Sequence, residues 1–252
     1  MTSRNPDRAS APVVGIAEDY PSLEGGFHAH QRAQLVYAAE GVVTVTTSRG
    51  VFVVPPQRAV WVCGGERHRV ESKRAFRLRT LYLDETRVRE LPRETTVLAV
   101  GPLLRELVLA QVAAPWTWEP RSRDARRVAV LLDELRQVES APLSLPLAAD
   151  PRVLRVCAAL QHDPADDRDL DAFARVAGAS PRHLARLYIA ETGLTFGAWR
   201  QQLRLLRALE RLADGASVLE VAIDLGYGSA SSFGAMFRRA LGTSPARYFA
   251  AG

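Results

Sequence analysis

The sequence predicts a two-domain chain in which an antiparallel β-sandwich or β-barrel (jelly roll) precedes an all-α domain. Its 252 residues exceed the roughly 100–200 residues of a typical domain, so two domains are expected. Short stretches rich in β-branched residues fill residues 33–82, helical periodicity follows, and the last third twice shows two helices around a glycine turn. We therefore expect a barrel over residues 1–92, a helical connector over 93–149 and a domain with two helix-turn-helix motifs over 150–252.

Composition and charge limit the class of protein. Hydrophobic residues make up 47% of the chain, and no stretch approaches the roughly twenty apolar residues of a membrane helix. The amino terminus lacks the apolar segment of a signal peptide, and the two cysteines, Cys63 and Cys157, lie far apart. A cytoplasmic protein with reduced thiols and no membrane partner is therefore expected. From residue 170 onward ten arginines accompany six acidic residues, so most of the net charge of +5 lies there, as DNA phosphates would favour.

Alternating residues predict the strands of the first domain. Five segments alternate in this way: 34–37, 41–47, 50–54, 59–63 and 76–82. From Glu94 onward the period becomes helical, with apolar stripes at 102–113 and 124–138. These stripes are candidate surfaces for a dimer, or they pack against the barrel of their own chain.

The last third contains two helix-turn-helix units. In the first, a helical pattern from Leu170 is broken by Gly178, and Ser180 with Pro181 begins the next helix. In the second, Ser217 caps a helix, residues 226–228 turn the chain, and Ser229 begins another. An amphipathic helix over 196–213 joins the units and would set the distance between them. This arrangement fixes duplex DNA as the expected partner.

The second helix of each unit would enter the major groove, with residues near its amino end facing the bases. In the first unit these are Arg182, Ala185 and Arg186, and arginine can bind guanine through two hydrogen bonds. The second unit offers small residues, so it should read bases weakly and hold the DNA backbone through arginines. Its predicted contacts are Ala230, Ser231, Ser232, Arg238 and Arg239.

Residues 151–252 resemble the DNA-binding domain of AraC/XylS-type bacterial transcription regulators. The most specific match is the segment 221–227, Val-Ala-Ile-Asp-Leu-Gly-Tyr, and further matches occur in order over about a hundred residues. These further matches are Gly178–Ser180, Leu184 and Arg186, Glu191–Gly193, Trp199 and Arg200, Ser232 and Phe233, Phe237–Arg239, and Gly242–Pro245 with Tyr248. The resemblance implies a sequence-specific transcription regulator rather than an enzyme.

The strand-rich half contains His28-Ala-His30 and, much later, His68. Alternate strand residues point the same way, so His28 and His30 can reach one ion, and His68 could complete the set. This pattern resembles the cupin fold, which implies a metal site formed by His28, His30 and His68, with Gln34 where that family usually has Glu. Such donors suit one divalent ion such as Zn, Ni, Co or Fe. Alternatively, the histidines are polar residues that line a ligand pocket.

The two resemblances together imply a barrel that senses a small molecule or a metal ion and alters DNA binding or dimer geometry. Tyr37, Gln57 and Trp61 are candidate effector contacts, although Trp61 also suits the core of a barrel. A homodimer is the expected assembly, and RNA polymerase is a further candidate partner. Two alternatives remain open: a metal-dependent cupin enzyme fused to a DNA-binding domain, and a barrel that serves only for dimerisation.

Overall fold

The computed structural model describes residues 5–88, 91–138, 140–141 and 143–250, and these form two units. The first unit comprises residues 1–48 and 52–143, and the second comprises 49–51 and 144–252. The strands are β1 (Val13–Tyr20), β2 (Leu23–Glu24), β3 (Ala33–Glu40), β4 (Val43–Thr47), β5 (Gly50–Val54), β6 (Arg58–Val62), β7 (His68–Ser72), β8 (Phe76–Leu83), β9 (Thr96–Ala99), β10 (Ser140–Ala141) and β11 (Ser144–Pro146).

Two antiparallel sheets form the first unit, as the alternating sequence predicts. One sheet has the order β1-β8-β3-β6-β9-β10, and the other contains β5-β4-β7-β2. The five strands predicted from the sequence correspond to β3, β4, β5, β6 and β8. Six further strands, β1, β2, β7, β9, β10 and β11, were not predicted. Of these, β9 corrects the expectation that helical structure begins at Glu94. Residues 96–99 instead pair with β6 and β10 at one side of the larger sheet.

One face of the larger sheet packs against two helices, α1 (Pro102–Val112) and α2 (Arg123–Gln137). Leu104 and Val108 of α1 and Leu131 of α2 share a buried core with alternate residues of β3, β6 and β8. The predicted helical stripes therefore pack within their own chain, because burying an apolar helix face against a sheet removes it from water. Residues 93–143 accordingly belong to the first unit.

The second unit is helical. Its helices are α3 (Pro151–His162), α4 (Leu170–Ala177), α5 (Pro181–Thr192), α6 (Phe196–Ala213), α7 (Val218–Asp224), α8 (Ala230–Leu241) and α9 (Pro245–Ala250). Side-chain caps begin most of them, as the sequence predicts for Ser180, Ser217 and Ser229, and Asp150 caps α3 in the same way. Within the part of the chain that the structure describes, no helix is both long enough and apolar enough to cross a membrane.

Two glycines shape the turns inside the helix pairs. Gly178 follows α4 with φ of 69°, and Gly226 follows α7 with φ of 75°, a region that favours glycine. At Gly226 a β-carbon would also lie 2.8 Å from the carbonyl oxygen of Ala165. Aromatic side chains fill the core behind the turns, with Tyr188 and Trp199 fully buried beside the first pair and Phe233 beside the second.

The cap of α7 should contribute measurably to stability. Ser217 accepts the Glu220 amide hydrogen through its hydroxyl oxygen, and the Glu220 carboxylate accepts the Ser217 amide hydrogen in return. We predict that Ser217→Ala lowers the free energy of unfolding by about 1 kcal/mol. Urea denaturation followed by far-ultraviolet circular dichroism measures this change. Ser231→Ala, at an exposed position of α8 that caps nothing, is the control, and an equal loss there would refute the cap's role.

Candidate metal centre and nucleic-acid interface

Three histidines meet at one place in the first unit. The backbones of His28 and His68 exchange two hydrogen bonds of 2.9 Å, so their side chains lie on the same face. His30 follows in the loop before β3, and its carbonyl accepts the amide hydrogen of Gly65. The potential ligand atoms of the three rings lie within 4.8 Å of one another. His68 is fully buried and His28 is exposed, so the cluster is reachable from solvent on the His28 side.

Backbone carbonyls fix which nitrogen of each ring carries the hydrogen. The Nδ1 atoms of His28, His30 and His68 lie 3.0, 2.6 and 2.8 Å from the carbonyl oxygens of Gly26, Arg32 and Glu66, respectively. A carbonyl oxygen can only accept, so each Nδ1 is the donor, and a neutral ring then has its lone pair on Nε2. Burial lowers the pKa of His68 to about 4, so this ring is neutral at physiological pH.

Gln34 completes the cluster from the neighbouring strand β3. Its Oε1 lies 2.9 Å from Nε2 of both His30 and His68. The amide nitrogen of Gln34 donates to Thr80 Oγ1 at 2.8 Å and to the Tyr82 hydroxyl at 3.1 Å. Because the Thr80 hydroxyl donates to the carbonyl of Leu35, its oxygen is left to accept from Gln34. The amide is therefore oriented with its oxygen towards the imidazoles.

This arrangement brings acceptors together without a donor between them. The Nε2 lone pairs of His30 and His68 and the Oε1 of Gln34 converge at hydrogen-bonding distance, and Gln34 is 3% exposed. Converging buried acceptors require a cation or a proton between them. Three imidazoles and a neutral oxygen suit a borderline divalent ion, and Nδ1–H groups bound to carbonyls are the usual outer contacts of metal-binding histidines. The residues present therefore fit a transition metal.

Sequence reasoning missed Thr80 and Tyr82. Both belong to β8 and face Gln34, since Tyr82 is the register partner of Gln34 and alternate residues of a strand share a face. The signal was present as polar residues in an otherwise apolar alternation, Phe76 to Leu83, but it has meaning only once the register between β3 and β8 is known.

The three predicted effector contacts lie elsewhere in the first unit. Tyr37 and Trp61 belong to the core shared with the helices, on the face of the larger sheet opposite Gln34. Arg105 of α1 hydrogen-bonds the Tyr37 side chain, and the Trp61 indole donates to the carbonyl of Pro92. Gln57 occupies the turn between β5 and β6 with φ of 66°. None of the three is brought to the histidine cluster, so Trp61 matches the core role also considered for it.

The helix-turn-helix units present their predicted DNA contacts on the surface. Arg182 and Arg186 on α5 are exposed, whereas Leu184 and Tyr188 of the same helix are buried and Leu187 is half-buried. On α8 the exposed side chains include Ser231, Ser232, Arg238 and Arg239, while Ala185 and Ala230 are half-buried. The outward face of each second helix thus carries the residues expected to meet DNA.

The arginines of the second unit fall into two groups. The first group donates to partners inside the unit: Arg152, Arg155, Arg168, Arg200, Arg204, Arg207 and Arg211. By contrast, the guanidinium groups of Arg182, Arg186, Arg238 and Arg239 form no hydrogen bond or ion pair among residues 5–88, 91–138, 140–141 and 143–250. Arg175 and Arg247 share this property and were not predicted. Unpaired guanidinium groups are available to phosphates and bases.

Comparison with known proteins assigns both regions to recognised domains. Residues 10–177 match the family described as an AraC-like ligand binding domain, and residues 173–251 match a helix-turn-helix domain. The chain is 35% identical over 252 residues to the HTH-type transcriptional regulator NimR of Escherichia coli K12, covering 99% of this chain and 92% of NimR. Identity to the HTH-type transcriptional regulator RipA of Corynebacterium glutamicum is 35% over 103 residues, covering 41% of this chain and 31% of RipA.

Among solved structures, ToxT of Vibrio cholerae with a bound unsaturated fatty acid matches 96% of each chain at 10% identity, with a TM-score of 0.40. NimR and RipA are both named as transcription regulators, which favours a regulator over the enzyme alternative.

The two helix-turn-helix units should respond differently to the loss of an arginine. We predict that Arg186→Ala lowers the preference for the selected DNA site over random DNA by about 1–3 kcal/mol, because a base contact carries sequence information. Arg238→Ala should weaken binding to all DNA, because a phosphate contact carries no sequence information. It should also reduce the magnitude of the negative slope of log affinity against log salt by about 0.9. Fluorescence anisotropy at several salt concentrations separates the two effects, and equal loss on both DNAs for Arg186→Ala would contradict the assignment.

Proposed function

The chain belongs to the AraC family of transcription regulators, and we propose that its amino-terminal unit senses a divalent transition-metal ion. His28, His30 and His68 would bind the ion through Nε2, and Gln34 would bind it through Oε1. The observation that supports this most directly is the convergence of the Gln34 oxygen on the Nε2 atoms of His30 and His68. When bound, the ion supplies the positive charge that these acceptors lack.

The donors are held in place before any ion arrives. Three backbone carbonyls orient the rings through Nδ1, and Thr80 and Tyr82 orient the amide of Gln34. Residues in such outer positions commonly change metal affinity by about 10–100-fold when replaced. The exposed side of His28 supplies a route for ion entry. A site ordered in this way binds without a large cost of rearranging its side chains.

We further propose that metal binding changes how the second unit binds DNA. Regulation requires two states of the protein that differ in affinity for the ion, and the ion then shifts the balance between them. A homodimer would present two copies of the DNA-binding unit, and RNA polymerase is the further partner expected of a regulator. Because the apolar stripes of α1 and α2 are buried within the chain, a dimer would need a different surface.

Of the five histidines in the chain, only the clustered three should contribute to metal binding. The chain has five histidines, of which His162 and His183 lie in the second unit and outside the cluster. We predict that the chelator-treated full chain binds one Zn²⁺ or Ni²⁺ per protomer in isothermal titration. His30→Ala should lower the affinity by two orders of magnitude or more, equivalent to about 2.7 kcal/mol, and His162→Ala should leave it unchanged. Equal affinities of the two variants would refute the assignment.

Gln34→Glu should have two effects of opposite sign. A carboxylate is a stronger, anionic ligand, so we predict metal affinity about tenfold higher than in the unsubstituted protein. Without metal, the buried carboxylate loses the amide hydrogens that reach Thr80 and Tyr82, which should lower the free energy of unfolding by about 1–3 kcal/mol. Titration and chemical denaturation with and without the ion measure both. A variant that is destabilised equally in the two conditions would argue against a metal at Gln34.

A further inference from the structure

A polar cleft lies between α6 and α8 of the second unit. Its volume is about 320 Å³. The lining side chains include Arg200, Gln201 and Arg204 of α6, Ser232 and Arg239 of α8, and Tyr227 of the turn before α8. No acidic residue contributes to this lining among the residues that the structure describes. Three guanidinium groups thus face one small volume without a carboxylate in its walls.

Two of the three arginines are held in position by the domain itself. Arg200 donates to the carbonyl of Arg168 at 2.9 Å, and Arg204 donates to the carbonyls of Pro164 at 2.7 Å and Asp166 at 3.2 Å. Neutral carbonyls orient a guanidinium group without neutralising its charge. The guanidinium group has five donors, so each of these two arginines retains N–H groups for another acceptor.

The third arginine, Arg239, makes no hydrogen bond or ion pair within the described part of the chain. The nearby carboxylate of Asp166 is bound by Arg168 at 2.5 Å and lies outside the lining. Like charges held together raise the free energy of the folded protein unless a counter-ion joins them. No carboxylate of the described residues lines the cleft, so an anion that neutralises these arginines must come from another molecule.

We propose that this cleft binds a phosphate of the DNA backbone between the two major grooves that α5 and α8 would enter. The inference rests on the DNA-binding function of the second unit. The cleft lies between α8, the second helix of the second helix-turn-helix unit, and α6, the helix that connects the two units. Gly197 at its edge leaves open space where a β-carbon would stand, and Ala235 adds only a methyl group, so a phosphodiester can approach closely. Guanidinium groups bind phosphate oxygens through paired hydrogen bonds.

This assignment adds Arg200 to the residues that contact DNA and gives Arg239 a specific partner. In the sequence Arg200 was part of the connecting helix and of the match to the AraC/XylS-type domain, without a predicted contact to DNA. Here it would anchor the DNA backbone at the junction between the two major-groove contacts, which fixes the register of both units without reading sequence. Arg204, which two backbone carbonyls hold in place, would orient the phosphate beside it.

The test is the salt dependence of DNA binding by the full chain. We expect Arg200→Gln and Arg239→Gln each to weaken binding to selected and random DNA alike by about three- to tenfold. Each should also reduce the magnitude of the negative slope of log affinity against log salt by about 0.9. Arg207→Gln is the matched control, because it removes the same charge from α6 outside the cleft. Since Arg239 has no partner to lose, Arg239→Gln tests the site even if Arg200→Gln fails to fold.

Two results would overturn the proposal. One is an unchanged slope in Arg239→Gln and in folded Arg200→Gln while the unsubstituted chain binds its selected DNA. The other is a titration with inorganic phosphate in which Arg200→Gln abolishes binding but leaves DNA affinity intact, because the cleft would then serve a free anion. Failure of the unsubstituted chain to prefer any DNA would instead contradict its function as a regulator, so the two failures are distinguishable.

Discussion

A carbonyl oxygen and two imidazole lone pairs cannot share hydrogen-bonding distance unless a proton or a cation lies between them. Gln34 brings these acceptors together in the first unit. Thr80 and Tyr82 accept hydrogen bonds from its amide nitrogen, so its oxygen faces His30 and His68. Backbone carbonyl oxygens accept hydrogen bonds from Nδ1 of His30 and His68 at the same time. The groups outside the cluster therefore decide its chemistry, as outer contacts do at metal sites generally.

The second unit separates two uses of arginine. Some arginines bind backbone carbonyls or carboxylates inside the unit and hold its helices together, as Arg155 and Arg204 do. Others, such as Arg186 and Arg238, extend from the outward faces of α5 and α8 without a partner in the described structure. Arg200 combines both uses, because one carbonyl orients its guanidinium group while the remaining donors face the cleft. Composition alone could not distinguish these arginines.

Local signals predicted the helical unit well. Caps, glycine turns and apolar spacing act within a few residues, so α4 and α6 begin and end where the sequence indicates, and so does α5 at its start. The sheets depend on distant pairing, which is why the four-residue strand β9 carries too little pattern to be found. Strand β3 is buried on both faces, so alternation could not tell that Tyr37 meets the helices while Gln34 meets the histidines. The spacing of His28 and His30 indicated a shared ion, and the resemblance to the cupin fold added His68 and Gln34. The partners that orient the cluster, Thr80 and Tyr82, were not predicted.

The central claim is that an ion at the histidine cluster changes DNA binding by the second unit. The most direct measurement is the affinity of the full chain for its selected DNA site with the cluster loaded and after chelation, repeated for His30→Ala. The account predicts a change of at least about fivefold on loading, equivalent to about 1 kcal/mol of coupling, which His30→Ala abolishes. Stoichiometric metal binding that leaves DNA affinity and site preference unchanged would contradict it.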